Sequence, residues 1–209
     1  LARLGLATLC VGTATGLAVL LLVWIVHSVE HLVWGSAEGS FLDGLALPSP
    51  WWLPIVTLSA AGVIAAIGWY LLRRFGRRIS SVEEGVAGKR MPALETAADT
   101  VIQVTSVALG APIGKEVATR ELSAMAGSKI VGWFRIDARW SMILVASAAG
   151  AGLAAVYNVP LAGALFALEI LLARFSAGAA VVALSISAIA TFVARPLVAD
   201  ASLYHVDDV

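Results

Sequence analysis

The sequence predicts an all-α, polytopic membrane protein with tilted and interrupted helices. Hydrophobic residues make up 60% of the 209 positions and charged residues 13%, whereas soluble domains average about 45–50% and about 25%. Several runs without Asp, Glu, Lys or Arg are long enough for a helix to cross roughly 30 Å of hydrocarbon. Arginines gather directly after one of these runs, as in cytoplasmic loops. We expect residues 1–209 to form a single transmembrane domain.

Composition also argues against several classes of function. The formal net charge is zero and no run of Lys or Arg exceeds a pair, so the chain lacks the basic stripe that nucleic-acid binding needs. The single Cys10 rules out an intrachain disulfide and a cysteine-based zinc cluster. We therefore expect no nucleic acid and no cysteine-bound metal, and nothing in the composition points to a cofactor or to enzymatic activity.

Two full-length spans are expected first. Residues 4–26 carry no charge, and we interpret them as a retained span because the run is too long for a signal peptide. Residues 44–72 form the second uncharged run, which opens with Pro48, Pro50, Trp51 and Trp52. The indoles suit the membrane–water interface.

The charges on either side of the second span predict its orientation. The preceding segment contains Glu30, Glu38 and Asp43 but no Lys or Arg. Four arginines follow the span: Arg73, Arg74, Arg77 and Arg78. The positive-inside rule places them in the cytoplasm. Alternatively they hold anionic lipid headgroups, which puts them on the same side.

The next segments are irregular. Residues 100–114 are uncharged but extend only about 22 Å as a helix, too short to cross alone. Residues 117–133 contain Arg120, Glu121 and Lys129, which are costly against lipid. We expect other parts of the protein to shelter this pair.

The last two uncharged runs include one clear break. Residues 140–168 are interrupted at Asn158-Val159-Pro160, because Pro160 has no N–H and disfavours helix at the preceding residue. Residues 175–194 can span and are expected to end at Arg195-Pro196. Interrupted helices are typical of transporters that expose backbone dipoles to ions.

A polar elbow at residues 110–118, GAPIGKEVA, carries the chemistry. The loop leaves the first N–H groups of the following helix unpaired, and their dipoles favour an anion. Glu116 could occupy that position as an internal anion and leave it when protonated, which would make it a gate. The alternative is that Glu116 only caps the helix and pairs with Arg120, worth about 0.2–0.5 kcal/mol. Its place between uncharged segments favours the functional interpretation.

Two motifs resemble a known family. Gly114-Lys115-Glu116 is similar to the Gly-Arg/Lys-Glu-Gly-Pro motif of the CLC family of chloride channels and chloride/proton exchangers. Residues 148–166, AAGAGLAAVYNVPLAGALF, resemble the family's small-residue helix, its Phe/Tyr-Asn-x-Pro break and the stretch that follows. The resemblance covers roughly residues 5–205 and corresponds to the first of the family's two inverted repeats, so we expect the chain to be the amino-terminal half of a longer protein.

The resemblance implies an anion channel or transporter in the plasma (inner) membrane, a homodimer that moves small anions such as chloride. Residues 161–172 and 181–192 become candidate subunit contacts, with a lipid-facing role as the alternative. Glu116 corresponds to the gating glutamate and Glu169 to the glutamate that ends the family's Phe-x-x-Glu helix. The implied anion-binding residues are Ser81, Gly114, Lys115, Val117 and Ala118.

This chain also departs from the family pattern. The proton-transfer glutamate falls where Ile170 stands, which favours a passive, voltage-gated type of channel, with Glu169 left as a possible proton path. The family's Gly-Ser-Gly-Ile-Pro anion loop keeps only serines near residues 77–85. Ser81 or Ser80 could donate a hydroxyl to chloride, or Ser81 could be a helix N-cap with Glu83 or Glu84 completing a capping box. Val117-Ala118 replace the Gly-Pro after the gate, which would narrow or alter the anion site.

A competing pattern suggests a different class of protein. His27-Ser28-Val29-Glu30-His31 fits the H-x-x-E-H arrangement of some membrane zinc peptidases. A third ligand would be required, and the remaining histidine, His205, is remote. The alternative is that the two histidines lie at the membrane interface and close the first span.

The glycines of residues 148–166 also have two possible roles. Gly150 and Gly152 indicate close helix packing more than a ligand loop.

Overall fold

The described residues are all in helices and the loops that join them. A computed structural model describes residues 2–35 and 50–198, which excludes Glu38, Asp43, Pro48, His205 and residues 207–209. The helices are α1 (Ala2–Trp34), α2 (Leu53–Phe75), α3 (Val82–Val86), α4 (Ala93–Ala108), α5 (Glu116–Phe134), α6 (Ala138–Tyr157), α7 (Pro160–Phe166, continued by a π-helical turn at Ala167–Leu171) and α8 (Ala177–Val198). The predicted all-α class is confirmed.

Four of these helices, α1, α2, α6 and α8, are long and apolar enough to cross a membrane. Helix α1 continues to Trp34, eight residues past its predicted end at Val26. The polar residues in this extension do not stop the helix, because Glu30 is buried against protein. The helix ends only at Gly35, which adopts a left-handed φ of 68°.

Helix α6 forms the centre of the structure, packing against α1, α5, α7 and α8. In its most apolar part 72% of residues are buried, compared with 11% in α2. Small residues allow this proximity: a Cβ on Gly152 would lie 2.6 Å from the Thr119 carbonyl of α5. Gly150 likewise meets Gly163 of α7. The predicted packing role of the two α6 glycines is confirmed.

The two short helices are sheltered as expected. Helix α4 begins at Ala93, seven residues before the predicted run, and packs against α1, α2 and α5. Helix α5 packs against α1, α4 and α6. The ionisable Glu121 of α5 lies partly buried where this helix packs against α4.

One predicted break is confirmed and one predicted end is wrong. Helix α6 ends where Asn158 takes a left-handed φ of 56°, and Pro160 starts α7. Helix α8, expected to end at Arg195-Pro196, continues through Pro196 to Val198. A proline this close to a helix end removes few backbone bonds, and the buried Ala194 and Val198 keep the last turn packed.

Hydrogen bonds at the two ends of α4 define two sides of the bundle. Near its start, Glu95 accepts from the Arg77 backbone N–H at 3.1 Å. At its end, the Ala108 carbonyl accepts from Trp34 Nε1 at 3.0 Å. Arg77 therefore lies opposite the end of α1 at Trp34, on the side where α1 begins. Arg3 and Arg135 share a cavity on that same side, which the positive-inside rule assigns to the cytoplasm.

Replacing Gly152 by alanine should force α5 and α6 apart, because the new Cβ would overlap the backbone of Thr119. We expect destabilisation of about 1–3 kcal/mol, as for other overpacked cores. The measurement is thermal unfolding of the purified full-length protein in detergent. The matched control is Gly62→Ala on α2, where a Cβ meets nothing within 4 Å and helix propensity favours alanine. Equal melting temperatures for both variants would contradict the expected clash.

Candidate anion site

The polar elbow begins with a defined helix stop. Gly110, with a φ of 103°, follows Leu109, the C-cap residue of α4. Its N–H donates to the Val107 carbonyl at 2.9 Å, and the Ala111 N–H donates to the Ser106 carbonyl at 3.0 Å. This is a Schellman arrangement, which satisfies carbonyls at the end of the helix. Together with the Trp34 bond to Ala108, it fixes where the chain reverses.

The second half of the elbow places Glu116 at the start of α5. Gly114 has a left-handed φ of 70°, and a Cβ built there would overlap the Glu116 carboxylate. Glycine is therefore required both by the backbone and by the carboxylate that folds over it. Lys115 occupies the N-cap position without giving a side-chain cap. The N-terminal end of α5 and its partial positive charge are thus close to one carboxylate.

Tyr157, the last residue of α6, donates its hydroxyl hydrogen to Glu116 Oε1. This bond joins the elbow to the Asn158-Pro160 break, although the two lie about 40 residues apart in sequence. The sequence analysis treated Tyr157 only as part of the break. The sequence did contain a signal for this bond, because Tyr157 stands at the end of an uncharged run and the hydroxyl of a sheltered phenol needs a hydrogen-bond partner.

Arg120 does not form the ion pair with the Glu116 carboxylate that the capping interpretation supposed. Its Nε donates to the backbone carbonyl of Glu116 at 3.3 Å, and its guanidinium carbon lies 5.5 Å from the centre of the Phe166 ring. Within residues 2–35 and 50–198, the ion pairs join Glu84 to Arg78 and to Lys89. The Glu116–Arg120 ion pair, which belonged to the capping alternative, is therefore not formed among these residues.

The histidine pattern of α1 lies close to the elbow. Lys115 is within electrostatic range of His27 and of the buried Glu30. The described part of the chain contains no group of three or more His, Cys, Asp or Glu side chains placed to share a metal ion. The zinc-peptidase hypothesis, built on His27, Glu30 and His31, therefore gains no support.

Ser81 forms a complete capping box with Glu84, not Glu83. The Glu84 N–H donates to Ser81 Oγ at 3.2 Å, and the Ser81 N–H donates to Glu84 Oε2 at 3.3 Å. The Lys89 ammonium and then this Ser81 N–H hold the pKa of Glu84 below its usual value. The Ser81 side chain is also hydrogen-bonded to the Glu83 carboxylate, and Ser80 donates to the Arg90 carbonyl at 3.0 Å. Both serine hydroxyls therefore have partners within the chain, and their roles as anion donors stay predictions.

Glu169 and Ile170 lie in the π-helical turn after α7, at the far end of that half-helix from Pro160. Both side chains are exposed on this chain, Ile170 by 65%. Their roles stay predictions.

A polar cluster that sequence reasoning missed ties together α2, α4 and α5. Trp69 Nε1 donates to Asp99 Oδ1 at 2.8 Å, and Gln103 Nε2 donates to Asp99 Oδ2 at 2.5 Å. The same amide lies 3.3 Å from Glu121 Oε2. The available signal was Asp99 and Gln103 at i, i+4 on a short helix, beside a charged residue that lipid would not tolerate.

Removing the Tyr157 hydroxyl should weaken the contact between the end of α6 and the start of α5, because its hydrogen bond to Glu116 is lost. We expect Tyr157→Phe to lower stability by about 1.5–3 kcal/mol, the range for hydrogen bonds to charged groups. Tyr70→Phe on α2, 65% exposed, is the matched control. Thermal unfolding of Tyr157→Phe, Glu116→Gln and the double variant should reveal a coupling of at least about 0.5 kcal/mol; strictly additive effects would argue against the contact.

Comparisons with known proteins agree with the family suggested by the motifs. A family model described as voltage gated chloride channel matches residues 61–209. The chain is 30% identical over 172 residues to a putative chloride channel protein ClcB-like from Ralstonia nicotianae, covering 77% of this chain and 39% of that protein. It is 31% identical over 179 residues to the H(+)/Cl(−) exchange transporter ClcA of Vibrio campbellii, covering 76% and 34%.

The fold is also similar to a solved structure, that of a slow cyanobacterial Cl−/H+ antiporter. The TM-score is 0.73 at 27% sequence identity, with 93% of this chain and 47% of the antiporter chain covered. The chain therefore spans less than half the length of each of these proteins.

Proposed function

Because this chain belongs to the voltage-gated chloride channel family, also called CLC, we propose that the complete protein moves small anions, chloride among them, across the plasma membrane. Glu116 is the gate. The observation that carries this proposal is the position of its carboxylate, which lies at the N-terminal end of α5 and accepts a hydrogen bond from Tyr157. A carboxylate in that position occupies the place where a free anion would be attracted.

The gate operates through competition for the same positive end of a helix. The unpaired N–H groups and the dipole of α5 attract either the Glu116 carboxylate or a free anion. Protonation removes the charge of Glu116 and with it most of that attraction. The side chain then leaves, and an anion takes its place. Gly114 supplies the space in which the carboxylate moves.

The other predicted site residues have supporting roles in this proposal. Lys115 adds positive charge beside the anion position, while Val117 and Ala118 contribute backbone N–H groups in the first turn of α5. Ser81 offers its hydroxyl hydrogen from the start of α3 by exchanging its contact with Glu83 for the anion. Val117 is bulkier than the family's Gly and would narrow the site, whereas Ala118 is smaller than Pro and adds a backbone N–H that Pro lacks. Together the two replacements would alter the preference of the site among anions.

Passive, voltage-gated conduction is our preferred mode of transport, since Ile170 cannot carry a proton. Chloride/proton exchange is the second candidate, which the names of the Vibrio transporter and the cyanobacterial antiporter favour. In that case Glu169 is the proton-carrying residue on this chain.

We further propose a homodimer within the lipid bilayer. The segments 161–172 and 181–192 each expose large apolar side chains on this chain, among them Leu161 and Phe192 at 61% and 74%. A second subunit or lipid would cover these side chains.

Chloride efflux from liposomes containing the full-length protein tests the gate. We expect wild-type efflux to increase as pH falls, because protonated Glu116 releases the site. Glu116→Gln should be independent of pH and about tenfold faster at neutral pH, given a carboxylate–dipole attraction of up to about 2 kcal/mol. Asp137→Asn is the control and should behave as wild type, because Asp137 is an exposed N-cap at the start of α6 and asparagine caps a helix equally well. Absence of anion-selective flux in every variant at every pH would refute the proposed function.

Proton movement distinguishes a channel from an exchanger. With the same liposomes and a chloride gradient, a pH electrode should record no proton flux driven by chloride. Glu169→Gln should then leave chloride efflux unchanged. Proton uptake that follows chloride and disappears in Glu169→Gln would instead establish exchange, without affecting the role of Glu116.

A further inference from the structure

A basic cavity of about 490 Å³ lies where α2 ends on the cytoplasmic side. Its wall includes Arg73, Arg77 and Arg78, together with Trp69, Leu72 and Asp99. The cavity therefore combines three guanidinium groups with an apolar wall. The anion site proposed above makes no use of it.

Three carboxylates lie near these arginines: Asp99 in the wall of the cavity, Glu95 beside Arg77 and Glu84 beside Arg78. Asp99, its acidic wall residue, is already hydrogen-bonded to Trp69 and Gln103. Arg78 lies 3.4 Å from Glu84 but its side chain is 85% exposed, and such pairs contribute little. Arg73 donates to the Trp69 carbonyl.

The loop that carries Arg77 is held through its backbone. The Arg77 N–H donates to Glu95, which fixes the loop and leaves the guanidinium group outside that bond. Neither Arg73 nor Arg77 belongs to an ion pair among residues 2–35 and 50–198. Arg73 and Arg77 are therefore available to an anion from outside the chain, and Arg78 can join them by exchanging its exposed contact with Glu84.

Guanidinium groups match phosphate in geometry, because their planar fork makes two parallel hydrogen bonds to its oxygens. The indole of Trp69 and the side chain of Leu72 offer a surface for the carbon atoms next to such a phosphate. The cavity also lies at the end of a span, at the depth of lipid headgroups. Within this chain, helix α2 is the least buried of the four spanning helices.

We propose that this cavity binds a phosphate group, and that the headgroup of an anionic phospholipid is its preferred source. The site lies on the cytoplasmic side, separate from Glu116, and its occupation does not depend on anion transport. A phosphate on a soluble molecule has the same chemistry, and the test separates the two sources.

The test is a binding titration of the full-length protein purified in uncharged detergent. Short-chain phosphatidylglycerol, short-chain phosphatidylcholine and inorganic phosphate are added separately, and the rise in melting temperature gives each Kd. The variant is Arg77→Gln with Arg78→Gln. The matched control is Arg74→Gln, since Arg74 adjoins the cavity in sequence but its guanidinium stacks on Phe75, 5.5 Å from the ring centre.

Phosphatidylglycerol should bind the wild-type protein and Arg74→Gln equally well, and phosphatidylcholine much less. The double variant should bind phosphatidylglycerol roughly thirtyfold more weakly, from the loss of two basic groups at the membrane surface. Inorganic phosphate that binds as tightly as phosphatidylglycerol, with the same dependence on the variants, would identify a soluble phosphate as the ligand and still support the site.

Equal binding of phosphatidylcholine and phosphatidylglycerol would overturn the proposal, as would equal losses in Arg74→Gln and the double variant. The melting temperature without ligand and the gel-filtration profile report whether the double variant is folded. If it is not, Arg77→Gln alone decides the question by the same titration, with a loss of at least about fivefold expected. Because no flux is measured, this outcome is independent of the proposed gate.

Discussion

The hydrogen bond from Tyr157 to Glu116 joins the two places where a transmembrane helix is interrupted. One partner ends α6 and the other begins α5, so the carboxylate can meet the phenol only if these helices pack closely. Gly152 makes that approach possible, while Trp34 of α1 holds the preceding helix end through Ala108. The candidate gate therefore depends on α1, α4, α5 and α6 together, although its chemistry belongs to one side chain.

The bilayer explains why the backbone groups at both interruptions are hydrogen-bonded within the protein. Backbone groups at membrane depth have no water to bind and need partners within the protein. At the end of α4, the turn at Gly110 provides two backbone hydrogen bonds to carbonyls of α4. At the end of α6, the turn at Asn158 provides one, from the Val159 N–H to the Ala154 carbonyl. What remains unpaired, at the start of α5, is a backbone site suited to an anion. Its place in the fold is the reason why we propose a role for Glu116 beyond capping.

This chain belongs to the family but departs from the family pattern at several positions. Matches covering less than half of each relative fit a chain that contains one of two repeats, so part of any complete anion path lies elsewhere. Within this half, Ile170 and the altered serine loop concern proton coupling and the central anion, while the elbow retains its glycine, its basic residue and its glutamate. Within the elbow, however, Val117-Ala118 replace the family's Gly-Pro, so retained and altered residues stand side by side at the gate. A gate of the family type can therefore occur with a different ion preference or coupling.

The sequence by itself determined the helical membrane class, three of the four spanning helices, the short sheltered pair and the break at Asn158-Pro160; α6, expected as a half-helix, proves long enough to span alone. These follow from local properties: the length of uncharged runs, the missing N–H of proline and the cost of charge in lipid. It also identified Glu116, because a charge at membrane depth stands out. Only the tertiary structure decided what that charge contacts. The Tyr157 bond, the Arg120 contact with Phe166 and the Asp99–Gln103–Glu121 cluster each connect residues on different helices, and no sequence period encodes which faces meet. The extension of α8 through Pro196 has the same origin, since packing of the last turn outweighed a local signal to stop.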